Sequence, residues 1–326
     1  MGKFLVKRLL NLIPVLIILS ILFFGLMKAM PGDPVRMMMP NDPKIIQNKA
    51  TYEKIYRQTA EKYGFDKPLP EQYLNWVKRT VTGDLGYSTQ FKKPVKDVIA
   101  TPLKNTLFLN LGSTILGFMI SLYIGIHSAV KKGSLYDRFW QVMSLVGVSL
   151  PTFFIGMMLI FVFALKLKWL PAGGMPVSAP GDAGYLMDWL RILILPTITL
   201  TIGQVASTSR YVRNAMLDSL SQDYIRTARS KGLKEKVVIY RHAFRNALIP
   251  VVTVVAWSLV GMFSGAAVTE TVFAYNGIGK VLISAVLAVD YNVALAMNTL
   301  FALLTVMGNL LMDIGYALVD PRVRLN

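Results

Sequence analysis

The order of hydrophobic and polar positions divides the chain into long uncharged runs separated by charged connections. A helix needs about 20 apolar residues to cross the hydrocarbon core of a bilayer, and it satisfies its own backbone hydrogen bonds there. Six runs approach or exceed that length, so the pattern predicts an all-α integral membrane protein with six transmembrane helices. The predicted spans cover residues 9–27, 105–130, 139–165, 192–209, 246–269 and 291–312.

The connections between these runs suggest four parts. The first run follows basic residues but lacks a small-x-small cleavage site, so we expect a retained signal anchor. The apolar run 281–289 is too short to span and predicts a re-entrant or interfacial helix. The expected parts are a signal-anchor helix (1–30), an extracytoplasmic segment (31–102), a five-helix membrane domain (103–316) with a cytoplasmic loop at 210–246, and a cytoplasmic tail (317–326).

The positions of Lys and Arg predict the orientation of the chain. Short cytoplasmic loops accumulate these residues. The connection 210–245 carries nine of them, whereas 276–290 carries only Lys280. We therefore expect both termini to be cytoplasmic, in a cell (inner) membrane. The formal net charge of +17 is explained by this topology and by contact with anionic headgroups of the lipid bilayer, so no nucleic-acid partner is expected.

Composition also limits the chemistry. A hydrophobic content of 54% is more than one soluble core of this length would bury. With no cysteine and two histidines, the chain offers neither a thiolate site nor a histidine cluster for a metal. It has no G-x-x-x-x-G-K-[ST] phosphate loop and no nucleophile-base-acid constellation on one side of the membrane. We expect a transport subunit, not an enzyme, with no catalytic residue, cofactor or metal of its own.

The basic connection has the features of a compact helix at the membrane surface. Ser221 is expected to cap it, Asp223 suits the positive end of its dipole, and Arg229 suits the negative end. Gly232 can end the helix in a left-handed conformation, which predicts about ten helical residues. A second helix is expected from about Lys234.

Two interpretations of this helix remain open from periodicity alone. Small residues would let a partner's groove approach, and Tyr224 and Ile225 would provide apolar anchors of the kind that dominate interfaces. A basic helix lying on anionic headgroups would share most of these features. The candidate docking residues are Asp223, Tyr224, Ile225, Arg226, Ala228, Arg229, Gly232, Arg241 and Arg245.

The fourth predicted span is unusually polar for a membrane helix. Such a helix suits the lining of a hydrated path, which favours transport over a scaffold or insertase. Hydrogen bonding between helices explains any single one of these residues equally well. The candidate path residues are Thr201, Gln204, Ser207 and Thr208.

The segment 223–232 reads D-Y-I-R-T-A-R-S-K-G. It resembles the loop with which type I ABC importer permeases of the dipeptide and oligopeptide group engage their ATPase subunits. Asn276 stands where that group usually has proline. Further motifs of the group are Lys7-Arg8-Leu9-Leu10, Pro31-Gly32-Asp33-Pro34, Asp66-Lys67-Pro68-Leu69, Gly83-Asp84-Leu85-Gly86-Tyr87-Ser88, Phe273-Ala274-Tyr275-Asn276-Gly277-Ile278-Gly279, Asp290-Tyr291 and Asp320-Pro321-Arg322-Val323-Arg324.

The resemblance implies a permease subunit that forms half of a translocation path for di- or oligopeptides. It implies as partners a homologous second permease in a heterodimer, two ATP-binding subunits that bind ATP and Mg²⁺, and an extracytoplasmic solute-binding protein. The alternatives are an ion-coupled secondary transporter that needs no ATPase, and an importer permease for nickel or another non-peptide solute. Ion coupling usually places carboxylates inside the bilayer, whereas Glu270, Asp290 and Asp313 lie near the ends of predicted spans.

Overall fold

The structure is a computed structural model that describes residues 2–29, 32–33, 35–36, 39, 45, 47–179, 181–263 and 265–319. Within those ranges the ordered elements are helical, apart from one isolated β-bridge between Tyr87 and Pro94. This confirms the predicted all-α class. The chain forms two compact units, one of residues 1–102 and 281–306 and the other of residues 103–280 and 307–326.

Helices of the first unit include α1 (Gly2–Ala29), α2 (Lys49–Tyr63) and α3 (Leu69–Val81). Asn48 caps the start of α2, where its side chain accepts an amide hydrogen bond. Gly64 ends α2 with a φ of +72°, a conformation that favours glycine. The extracytoplasmic segment expected at 31–102 therefore contains two well-terminated helices.

The second unit contains most of α4 (Val95–Val130), followed by α5 (Leu135–Ser149) and α6 (Thr152–Leu159). The α6 helix continues as a π-helix over Ile160–Lys166. The axes of α5 and of the α6 segment differ by 102°. The predicted second span is thus part of a longer helix, and the predicted third span is broken.

This break corrects the continuous helix expected at 139–165, and Pro151 provides the physical reason. Proline has no amide hydrogen for the helical ladder, and it disfavours helical geometry in the preceding residue. Leu150 accordingly has φ −81° and ψ 130°, which is extended backbone. Apolar length alone had concealed the break.

The cytoplasmic loop expected at 210–246 begins inside α7 (Tyr185–Leu220), which contains the predicted fourth span 192–209 and continues through residues 210–220. It contains α8 (Asp223–Ser230) and α9 (Glu235–Val237), which continues as a π-helix over Val238–Phe244 and then as α10 (Arg245–Gly261). We call α8, α9 and this π-helix the elbow. Both helices that the sequence predicted here are present.

The ends of α8 follow the prediction only at one side. Gly232 has a φ of +73°, as expected for a residue that terminates a helix. The expected capping role of Ser221 is wrong. Gln222 occupies the N-cap, and the Ser221 hydroxyl donates a 2.8 Å hydrogen bond to the carbonyl of Asp218 at the end of α7.

Three helices complete the described chain: α11 (Ala267–Val272), α12 (Ile278–Leu287) and α13 (Tyr291–Val319). The run 246–269 is not one continuous helix, because α10 ends at Gly261 and α11 is a separate element. The short apolar run expected at 281–289 lies in and just beyond α12.

In the part of the chain that the structure describes, four helices are long and apolar enough to cross a membrane. They are α1, α4, α7 and α13. The bent pair of α5 and α6 makes a fifth if it counts as one span. A multi-pass membrane protein is confirmed, whereas the predicted number of six spans is not.

A buried carboxylate fixes the turn between α11 and α12. Glu270 is fully buried, and its Oε1 accepts hydrogen bonds from the Thr106 hydroxyl (2.6 Å) and the Ala266 amide (3.2 Å). Its Oε2 accepts from the Lys280 amide at 2.9 Å. The Ile278 amide in turn donates to the Thr106 oxygen at 2.8 Å. Since each donor would be left unsatisfied without its acceptor, this network holds the turn on α4.

We expect Gly277→Ala to destabilise the protein. A Cβ at Gly277 would lie 2.2 Å from the carboxyl carbon of Glu270, and overpacking of this kind costs about 1–3 kcal/mol. The matched control is Gly112→Ala in α4, where no atom beyond the adjacent backbone of the helix lies within 4 Å of the added carbon. Thermal unfolding in detergent should show a midpoint several degrees lower for Gly277→Ala only. Equal midpoints for the two variants would contradict the packing.

Candidate docking face and polar groove

The α8 helix has one buried and one exposed face. Ile225 is fully buried and Ala228 is 5% exposed, and their spacing of three residues places them on one side of the helix. The sequence had offered both as contacts for a partner, but the structure turns them toward the chain itself. They belong to a hydrophobic cluster that we call the elbow core. Its other members are Ile126, Ala129, Val212, Met216, Val238, Ile239, Ala243, Ala247 and Val251.

A buried hydroxyl adds directional bonds to this packing. Ser219 near the end of α7 donates a 2.8 Å hydrogen bond to the carbonyl of Ala243 in the π-helix. The Tyr224 hydroxyl lies 2.8 Å from the same Ser219 oxygen. Because the Ser219 hydrogen is directed to the carbonyl, Tyr224 donates to Ser219. Three elements are thus joined at one oxygen, a role of Ser219 that its sequence position did not reveal.

The other face of α8 presents charges to its surroundings. Asp223 and Arg226 form a loose ion pair of 3.4 Å, and their side chains are 94% and 77% exposed. Arg229 donates two hydrogen bonds to Glu235, of 2.6 and 3.2 Å, and the guanidinium lowers the pKa of the Glu235 carboxyl. Exposed ion pairs contribute little to stability, so these groups are able to exchange partners at small cost.

The remaining docking candidates are also accessible. Gly232 has no other atom within 4 Å of the position of a Cβ. Arg241 in the π-helix and Arg245 at the start of α10 are exposed, and neither guanidinium has an ion-pair partner among the residues that the structure describes. The elbow and the start of α10 therefore expose positive charge that no described residue compensates.

A buried ion pair joins α7 to α5. Arg213 donates to both carboxylate oxygens of Asp137, at 2.6 and 2.8 Å, and Asp137 is 1% exposed. The Gly133 amide also donates to Asp137, at 2.9 Å. A bidentate pair of this kind fixes orientation as well as distance. The sequence had used Arg213 only as a topological charge, since nothing in its local pattern indicates a partner 76 residues away.

Toward its middle, α7 lines an open groove of about 470 Å³ together with α4 and α10. Gln204, Ser207 and Thr208 line this groove, as expected for a path, although the role itself stays a prediction. Thr201 does not line it; its buried hydroxyl donates to the Ser113 carbonyl at 3.4 Å. None of the described side chains that line the groove is ionisable. The other lining residues are Asn110, Ser113, Thr114, Leu200, Gly203, Val254, Trp257, Ser258, Gly261 and Met262.

Gln204 is the polar side chain in this groove with an unused donor. Its buried Nε2 has no hydrogen-bond partner in the structure. The side chain lies against Gly117 of α4, where an added Cβ would approach within 2.8 Å of the Gln204 Oε1 and Cδ. Gly117 therefore provides the space in which the amide lies, and a buried amide without a partner is costly.

Comparison with known proteins gives two family matches. Residues 117–325 match the family described as "Binding-protein-dependent transport system inner membrane component". Residues 1–110 match the family "Binding-prot-dependent transport system membrane comp, N-term". The two matches together span nearly the whole chain.

Several relatives are similar along their full length. The chain is 42% identical over 324 residues, 99% of each chain, to the oligopeptide transport system permease protein AppB of Bacillus subtilis. It is 36% identical over 343 aligned residues, again 99% of each, to the di/tripeptide transport system permease protein DppB of Pseudomonas aeruginosa. It is 35% identical over 324 residues, 99% of each, to the glutathione transport system permease protein GsiC of Escherichia coli.

We expect Ile225→Ala to loosen α8 from the elbow core. Truncating a buried isoleucine costs about 2–5 kcal/mol, and each 1.4 kcal/mol changes an equilibrium about tenfold. Hydrogen exchange of the amides in residues 223–232 should therefore become at least about tenfold faster. The control Arg226→Ala removes an exposed side chain from the same helix and should leave the exchange unchanged. Equal exchange in the Ile225→Ala variant and the unmodified chain would contradict the role of the core.

Proposed function

The chain belongs to the family of binding-protein-dependent transport system inner membrane components, and on this premise we propose that it forms half of an ATP-driven translocation path for di- or oligopeptides. Members of this family are permease subunits of ABC importers, and the chain is accordingly a transport subunit and not a catalytic enzyme. The observation that carries the peptide assignment is end-to-end similarity to permeases named for oligopeptides and di/tripeptides.

The proposed topology has six spans. Five would be α1, α4, the bent α5–α6 pair, α7 and α13. The sixth would be α10, whose 17 residues lie at the lower limit of about 17–25 for a spanning helix. With the elbow in the cytoplasm, both termini are cytoplasmic as well, and α12 would be the re-entrant or interfacial helix.

The proposed partners are those of the family as a whole. A homologous second permease would complete the path as a heterodimer, an extracytoplasmic solute-binding protein would deliver the solute, and two ATP-binding subunits would bind ATP and Mg²⁺. The exposed face of α8, with Asp223, Arg226 and Arg229, is our candidate for contact with an ATP-binding subunit. Ile225 and Ala228 would support that face from within.

Coupling would be mechanical. Displacement of α8 by an ATP-binding subunit would be passed to α7 through the elbow core and the Ser219 bonds, and to α5 through Arg213 and Asp137. The same helix α7 carries Gln204, Ser207 and Thr208 in the groove. A two-state transition of a rigid, packed element is the usual form of such switching.

The chemistry of the groove suits the main chain of a peptide. Amide and hydroxyl groups pair with peptide N–H and C=O groups, which are common to every peptide sequence. A groove without ionisable lining groups would neither select nor repel charged side chains. This neutrality supports a path for varied peptides, in which the binding protein would select the solute.

An ion-coupled carrier would need a titratable group that is free to bind an ion. The three fully buried carboxylates of the described chain are already engaged, that of Asp137 by Arg213. Glu270 holds the turn before α12, and Asp290 accepts hydrogen bonds from the Ser88 hydroxyl (2.5 Å) and the amides of Gln90 (3.1 Å) and Val293 (3.3 Å). These contacts favour structural roles for all three groups.

We expect Arg226→Glu to abolish coupling without unfolding the chain. Arg226 is exposed on α8, so reversing its charge alters the proposed docking face and leaves the elbow core intact. Uptake of labelled dipeptide and peptide-stimulated ATP hydrolysis should both fall by at least about tenfold in vesicles that contain the assembled transporter, as expected for a charge reversal in an interface. Membrane insertion should be normal.

The matched control is Lys132→Glu, which reverses an exposed charge in the connection between α4 and α5. It should retain uptake. Normal uptake in both variants would argue against docking at α8. Uptake by the purified chain alone, driven by an ion gradient, would overturn the proposed function.

A further inference from the structure

The first compact unit contains a partly open cavity that the proposed transport function does not use. It lies where the end of α1, the helix α3 and the start of α13 meet, and its volume is about 110 Å³. A water molecule takes about 30 Å³ in the liquid, so the space suits one small polyatomic group. Pockets for drug-sized ligands have volumes of about 300 Å³ or more, so this cavity is too small to enclose a peptide.

A lysine held by neutral groups lines this cavity. The Lys28 ammonium donates to the Gln72 Oε1 and lies over the rings of Phe24 (5.6 Å) and Phe65 (4.8 Å). The Gln72 Nε2 donates to the carbonyls of Phe65 (3.1 Å) and Lys67 (2.6 Å), which fixes the Oε1 toward the lysine. No carboxylate pairs with Lys28 in the described part of the chain. Since an ammonium has three donors, two remain for a ligand.

A second cation and two amides face the same space. Arg79 uses its Nε for the ion pair with Asp84 (2.8 Å), which leaves its two terminal nitrogens available. Asn75 and Asn292 also line the cavity, whereas no acidic side chain of the described residues does. The Lys28 ammonium and the terminal nitrogens of Arg79 are therefore donors that suit an oxyanion.

The surroundings of the cavity are those of a membrane interface. The apolar stretch of α1 is almost entirely exposed, because only 6% of it is buried against the rest of the protein. This is expected for a helix that faces lipid. Near its end, Phe24 packs against Tyr73 (5.5 Å) and Trp76 (5.9 Å) of α3. Tyrosine and tryptophan are enriched at the level of lipid headgroups. Leu74 of α3 is 64% exposed.

We propose that this cavity binds the phosphate of an anionic phospholipid, with Lys28 and Arg79 as its cationic ligands. The volume accommodates the phosphate, and the acyl chains would lie along the exposed apolar face of α1. Basic pockets beside transmembrane helices on the cytoplasmic side bind anionic headgroups, and in the proposed topology this pocket would do so in the extracytoplasmic leaflet. The bound lipid would join α1 and α3 to the start of α13 in the same compact unit.

The test uses the full chain, purified in detergent, stripped of lipid and titrated with phosphatidylglycerol or phosphatidylcholine. Native mass spectrometry should show one phosphatidylglycerol bound to the unmodified chain, in preference to phosphatidylcholine. Lys28→Met should weaken this binding by about tenfold or more, the effect of losing one charge-assisted hydrogen bond. The control Lys78→Met removes an exposed cation of α3 outside the cavity and should bind as the unmodified chain does.

Lys28→Arg keeps the positive charge and should retain lipid binding. This variant therefore distinguishes loss of the charge from misfolding as the reason why Lys28→Met binds less lipid. Equal phosphatidylglycerol affinity for Lys28→Met and the unmodified chain would overturn the proposal. The proposal would also be overturned if inorganic phosphate raised the midpoint of thermal unfolding as much as the lipid does and if Lys28→Met removed this effect. The site would then bind a free anion.

Discussion

The packing of Ile225 into the elbow core is the interaction on which the rest of the account depends. A basic, eight-residue helix is far too short to be stable by itself in water. Its position is set by two side chains, Ile225 and Ala228, that it buries against α7 and the π-helix. The Ser219 oxygen then fixes the rotation of these elements, because it is bonded on both sides. An exposed, charged surface is thereby attached to a membrane helix with little freedom to slip.

The polar side chains within the membrane domain are concentrated on α7, and their hydrogen bonds explain this. Buried polar groups need partners, and several hydroxyls of α7 find them in carbonyls of α7 or α4. Gln204 differs, since its amide nitrogen is buried beside the groove without one. The α7 helix contacts α8 at one end and carries an amide without a hydrogen-bond partner farther along. It is therefore suited to couple the position of α8 to the conformation of the path.

The sequence predicted those features that local chemistry determines. Apolar length identified the helices that can span, and Gly232 marked the end of α8 because only a left-handed residue fits there. It failed where the outcome depends on a distant neighbour. Eight residues of periodicity do not tell whether Ile225 faces a partner or its own chain, and neither Arg213 nor Lys28 carries a local indication of the groups around it. Pro151 is a different case. The sequence shows a proline that can break the third span, but the apolar length of the run led to the prediction of a continuous helix.

The most direct test of rigid coupling is a pair of distance measurements by electron spin resonance. The natural chain has no cysteine, so spin labels can be placed on introduced cysteines alone. One pair joins α8 to α7, at positions 230 and 210, and avoids the proposed docking residues; the other crosses the groove, at positions 207 and 257. When ATP is added to the assembled transporter, the account predicts an unchanged, narrow distance for the first pair and a changed distance for the second. A first distance that changes or broadens while the second stays constant would contradict it.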